Sequence, residues 1–105
     1  MRFGSWYPLA DVAEHAPAGA GVLQVRRAAG LVDYPTGKSA MVQYAHTPDV
    51  RAAALAIAAA HREDDLWGRH LIEADLATDL ATFCESLRGD FVRRFGAPPM
   101  FERPS

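Results

Sequence analysis

Gly21-Val22-Leu23-Gln24-Val25-Arg26 and Ser39-Ala40-Met41-Val42-Gln43-Tyr44-Ala45-His46 decide the fold. Both stretches read as strands. In the first, Val22, Gln24 and Arg26 alternate with Leu23 and Val25; in the second, Met41 and Val42 carry the apolar part. Residues 28–38 between them hold Gly30, Pro35 and Gly37, all turn formers, with Leu31, Val32 and Tyr34 placed to extend either strand. Thr47-Pro48-Asp49 follows at once and opens a helix, with Thr47 as the expected N-cap and Pro48 at the first helical position. The local plan is strand, turn, strand, helix.

Upstream, Leu9, Val12, Ala13 and Ala16 repeat at helical spacing between Pro8 and Pro17, which predicts a short helix laying Leu9 and Val12 on the sheet. Trp6 and Tyr7 are expected as a hydrophobic lid over the core. Downstream, residues 48–61 are Ala-rich and helical, with Val50, Ala54, Ile57, Ala58 and His61 on one stripe and Leu55 off it. A polar break, Arg62-Glu63-Asp64-Asp65, precedes a third strand over residues 66–72. The last helix begins near Asp75 or Asp79. Leu76, Leu80, Phe83, Leu87, Phe91 and Phe95 form its stripe, Gly89 is a point of kinking or splitting, and Gly96 with Pro98-Pro99 ends it. Residues 101–105 are expected to be loosely held. The prediction is one α+β domain over residues 1–105: a small antiparallel sheet of about three strands flanked by helices.

Half of the 105 residues are hydrophobic, enough for one packed core, although many of them are alanine. The net charge of −2 argues against broad electrostatic capture of nucleic acid and leaves room for a local basic patch. Cys84 is the single cysteine, so no intrachain disulfide forms; it is expected as a small buried hydrophobe, and a cytoplasmic location is the plain reading. No charged-then-apolar leader and no bilayer-length apolar run is seen, so no membrane partner is expected.

Few residues carry a chemical signal. Pro35-Thr36-Gly37-Lys38-Ser39 looks like the end of a phosphate-binding loop, but Val32 stands where that motif needs glycine and a strand, not a helix, follows. The segment therefore reads as a turn with Lys38 solvated. His15, His46, His61 and His70 lack metal-helix spacing; His46 stands out because it sits where the second strand hands over to the helix. Glu85 lies beside the apolar stripe of the last helix, where a carboxylate either faces solvent or holds a divalent metal in a cleft.

The layout resembles the GIY-YIG nuclease superfamily across roughly residues 18–101. Gly21-Val22-Leu23 sits at the first motif and Tyr44-Ala45-His46 at the second. Thr47-Pro48-Asp49-Val50-Arg51 is similar to the start of the family's helix, and Glu85 with the later Phe95-Gly96-Ala97-Pro98-Pro99 is similar to its glutamate helix and its ending. The resemblance implies a glutamate holding one Mg²⁺ or Mn²⁺ ion, a tyrosine helping to form hydroxide, and an arginine stabilising the developing charge. Only Tyr44 and Glu85 carry over. Leu23 replaces the first tyrosine, His46 replaces the glycine, and the arginine position falls on Ala53 or Ala54. Loss of one preorganised electrostatic donor costs on the order of two or three powers of ten in rate.

The expected function is accordingly a degenerate GIY-YIG-like domain acting as a non-catalytic binding module for nucleic acid or protein. Lys38, Tyr34, Arg51, Tyr44 and His46 are its candidate binding residues, and no cofactor is expected. One alternative is a divergent metal-dependent endonuclease acting on DNA, using Tyr44 and Glu85 with His46 as a substitute base. The other is a self-associating interaction module using the Ala-rich helix, Trp6, Trp67 and Phe101.

Overall fold

The computed structural model describes residues 1–103. In chain order the elements are β1 (Arg2–Phe3), β2 (Tyr7–Pro8), a 3-10 turn (Leu9–Asp11) running into α1 (Val12–His15), β3 (Gly21–Arg27), β4 (Val32–Tyr34), β5 (Gly37–Ser39), β6 (Met41–Thr47), α2 (Val50–Ala60), β7 (Leu66–Glu73), α3 (Leu80–Phe95) and a second 3-10 turn (Met100–Glu102). The fold is α+β, as the strand and helix periodicities predict. Its main sheet is antiparallel, with β3 between β6 and β7 and the two-residue strands β1 and β2 on the far side of β7.

Alternation along β3 sends Val22, Gln24 and Arg26 to one face and Leu23 and Val25 to the other. Both faces are covered, so Val22, Leu23 and Val25 are all fully buried. Helices α1 and α2 cover the Leu23–Val25 face, and they come close because glycines lie beneath them. A Cβ on Gly68 would stand 2.8 Å from Leu9 Cδ1, and one on Gly21 would stand 2.7 Å from Val50 Cγ2. Helix α3 covers part of the other face, where Phe91 meets Tyr34 edge-on at 4.9 Å and Tyr44 at 6.0 Å.

Several local expectations shift. Val32 and Tyr34 extend neither long strand; they pair with Ser39 and Gly37 in a separate two-stranded ribbon, and Leu31 is exposed. This ribbon finishes α3. Thr36 donates its hydroxyl to Arg94 O at 2.7 Å and its amide to Phe95 O at 3.1 Å, satisfying carbonyls that the helix end leaves open. Helix α2 starts two residues later than expected: Asp49, in extended conformation, accepts from Ala52 N at 3.0 Å, while the Thr47 hydroxyl accepts from Asp49 N. Its stripe is as read, with Val50 and Ala54 buried and Leu55 half exposed.

Asp79 caps α3, so Leu76 falls outside the helix and is fully exposed. Gly89 neither splits nor ends the helix, and Gly96 closes it in the left-handed region at φ 79°. The segment after it is held: Phe101 stacks on His61 with centroids 3.8 Å apart, although residues 104–105 lie outside the described residues. Among the described residues no helix is long and apolar enough to cross a membrane.

Candidate functional site

Tyr44 lies on β6, directly opposite Gln24, and shares that face of the sheet with His46, which is exposed and opposite Val22. Both backbone groups of Tyr44 point to the open edge of the sheet and are taken by side chains. Arg88 Nη2 donates to Tyr44 O at 2.9 Å, and Glu102 Oε2 accepts from Tyr44 N at 3.0 Å. Arg88 also pairs with Glu102 and with Glu85. Burial works against the Arg88 charge, but the hydrogen bond and charge of Glu102 outweigh it and hold the guanidinium above its ordinary pKa. Glu85 is thus tied through Arg88 to the Tyr44 main chain, while its own side chain is 71% exposed.

The other sequence candidates go elsewhere. Arg51 reaches from α2 to Ala16 O, 3.0 Å from Nη2, and clamps α2 to the end of α1 on the opposite face of the sheet. Lys38 lies 3.5 Å from Asp33 across the exposed ribbon. Tyr34 is buried; its hydroxyl donates to Met41 O at 2.7 Å and accepts from Met100 N at 3.1 Å, and burial raises its pKa. His46 adds its charge to the surroundings of Asp79, whose carboxyl is held low first by the Thr82 hydroxyl and the Ala81 amide. Cys84 is buried as expected, and burial raises its thiol pKa. The candidates named from the sequence therefore divide between the α3 side, the ribbon and the α2 side.

A different constellation forms on the part of the Tyr44 face nearest β1 and β2. Arg69 is opposite Gln24, and Gln24 is opposite Tyr44, so the three make a row across β7, β3 and β6. Arg69 Nε donates to Gln24 Oε1 at 2.7 Å, and Gln24 is only 5% exposed. The Arg69 guanidinium lies 4.6 Å from the Trp6 ring centroid and 4.9 Å from that of Phe3, while Arg26 lies 4.2 Å from the Trp6 centroid. Trp6 is thus a platform for two cations rather than an apolar lid.

Among the described residues, neither Arg26 nor Arg69 pairs with a carboxylate. Burial, and then the like charge of Arg26, lower the Arg69 pKa. Aromatic faces and one buried amide therefore hold together two partly exposed guanidiniums that repel each other. An anion placed between them relieves that repulsion, and guanidinium geometry suits the paired oxygens of phosphate.

The sequence shows Arg26 and Arg69 only as two members of a scattered basic set. Their grouping depends on the β3–β7 register and on the β1–β2 segment folding back along β7, which no local pattern signals. Among the described residues there is no group of three or more His, Cys, Asp or Glu side chains arranged to hold a metal ion. Comparison of the chain with known protein families, curated proteins and solved structures yields no match.

Proposed function

We propose that the chain is a non-catalytic binding module, built on a degenerate GIY-YIG-like scaffold, that takes nucleic acid on the Trp6–Arg26–Arg69 shelf. The observation that carries this reading is the adjacent pair of guanidiniums over one indole with no carboxylate between them. Phosphate oxygens supply the missing charge, and Trp6 with its neighbour Phe3 holds the guanidiniums in place to meet them. Single-strand binders use such cationic groups to track the backbone. Gln24 orients Arg69, and Tyr44 closes the row at the α3 side. The reading assigns no step to Mg²⁺ or Mn²⁺ and leaves Glu85 as a surface partner of Arg88. A cytoplasmic location belongs to the same proposal and rests on the lone Cys84.

The test is fluorescence anisotropy with a labelled single-stranded oligonucleotide over a range of salt concentrations. Each phosphate contact contributes about −0.7 to the slope of log K against log salt on a single strand, so two arginines account for about −1.4. The double substitution Arg26→Ala and Arg69→Ala is expected to remove that share of the slope and most of the binding, with EDTA making no difference. Salt-insensitive binding, or binding unchanged in the double variant, refutes the reading.

A further inference from the structure

The arginine shelf is closed at one end and open at the other. Along β7 the side chains on this face run Trp67, Arg69, Leu71, and the residues opposite them are Arg26, Gln24 and, on β1, Phe3. Phe3 meets Phe83 of α3 with ring centroids 6.3 Å apart, so strand and helix join over the face beyond Arg69. In the other direction Arg26 leads to an exposed connection at residues 29–31. Arg69 is therefore the inner position and Arg26 the outer one. We infer that the shelf takes the end of a single strand, holding a terminal phosphomonoester between Arg69 and Arg26. The inference rests on the nucleic-acid reading and names the part of the strand that binds.

Three observations select an end over the middle of a strand. The first is the wall. An internal phosphate has chain on both sides of it, and with Phe3 and Phe83 joined beyond Arg69 the chain leaves only past Arg26. The second is charge. Both guanidiniums lie over one indole, 4.2 and 4.6 Å from its centroid, and among the described residues no carboxylate pairs with either. A phosphomonoester carries a charge of about −1.5 to −2 at pH 7, whereas an internal diester carries a single charge, so the monoester comes closer to neutralising the pair.

The third is hydrogen bonding. Arg69 lies against both the Trp6 and Phe3 rings, and its Nε is committed to Gln24 Oε1 at 2.7 Å. Gln24 is itself buried, so the contact that orients Arg69 is fixed in the sheet. The Nη groups of Arg69 and the fork of Arg26 are the donors left to a ligand. A monoester offers three acceptor oxygens to these two forks, one more than a diester has free.

The experiment uses the full chain and one internally labelled single-stranded oligonucleotide in three forms: phosphorylated at the 5′ end, phosphorylated at the 3′ end, and hydroxyl at both. Anisotropy titrations at fixed salt are expected to show a phosphorylated form binding roughly tenfold tighter than the hydroxyl form, and the preferred end gives the polarity of the strand in the shelf. Arg69→Lys keeps the charge and loses the fork. It is expected to cut that preference to about twofold while leaving the hydroxyl form within a few-fold of its parent affinity. Arg26→Gln, which leaves one cation, is expected to cut it too and decides the matter should Arg69→Lys fail to fold. Equal binding of all three forms, with the salt dependence intact, overturns the end inference and leaves the nucleic-acid reading standing. No binding of any form overturns both. A preference that survives the substitutions overturns the assignment to Arg26 and Arg69. Inorganic phosphate displacing the oligonucleotide at equal concentration overturns the strand as the source of the phosphate.

Discussion

Arg88 and Glu102 close the exposed edge of the sheet by binding each other and then the two backbone groups of one residue. Nη2 of Arg88 is 2.9 Å from Tyr44 O, and Oε2 of Glu102 is 3.0 Å from Tyr44 N. The pair occupies the positions a neighbouring strand's carbonyl and amide would take. An open strand edge is a template for pairing with another chain, and charged groups placed on it block that route. Glu102→Ala is expected to lower stability by about 1–3 kcal/mol, because it removes the more buried of the two carboxylates that Arg88 pairs with and unpairs a backbone amide. Urea denaturation measures that loss. Size-exclusion chromatography with light scattering should show concentration-dependent dimers in the variant and not in the parent chain.

Close packing beneath α1 makes a second prediction. Gly68→Ala would place a methyl 2.8 Å from Leu9 Cδ1 and 3.1 Å from Val12 Cγ2, both on buried residues. Overpacking of this kind costs about 1–3 kcal/mol. Gly19→Ala is the control: nothing lies within 4 Å of its Cβ position, and its stability should stay within about 0.5 kcal/mol of the parent. Equal melting temperatures for the two variants would refute the packing account.

These two sites mark the boundary of what the sequence discloses. The long strands and the helices announce themselves by period, because each buries one continuous face and the spacing of apolar residues records it. Gln24 is misleading for the same reason: its polar side chain on an alternating strand suggests solvent, yet it is buried because α3 and the β1–β2 segment cover that face too. The Arg26–Arg69–Trp6 group joins residues up to 63 positions apart in the chain, brought together only by strand register. Tyr34 and Lys38 carry no signal of a private ribbon, since three-residue strands are too short to display a period. Glu102 lies in a segment whose composition suggests a loose tail, and its role is tertiary.

Glu85 separates the binding reading from the enzymatic one. Its carboxylate is a well-exposed partner of Arg88 one helical turn away, and such surface pairs contribute about 0–1 kcal/mol. Glu85→Ala is expected to leave thermal stability and oligonucleotide affinity close to those of the parent. Incubation of the purified chain with DNA in Mg²⁺ or Mn²⁺ should yield no cleavage. Cleavage that vanishes in Glu85→Ala would return the chain to the nucleases.

The stability of the fold should also depend on pH through His70. Burial, and then the neighbouring His15, lower its pKa below the ordinary value of about 6.5, so the folded chain holds fewer protons than the unfolded chain as pH falls through that value. Stability therefore declines on acidification from near neutrality until the folded imidazole itself titrates, and the sign is positive for stability against pH. One group limits the slope to about 1.4 kcal/mol per pH unit. The other three histidines are common to the parent and a His70→Asn variant, so the difference between the two stability–pH curves isolates this imidazole. Urea denaturation at several pH values is expected to show a shallower decline in the variant. Parallel curves would mean that the His70 environment is as hydrated folded as unfolded, and would refute the closed setting on which its proton affinity depends.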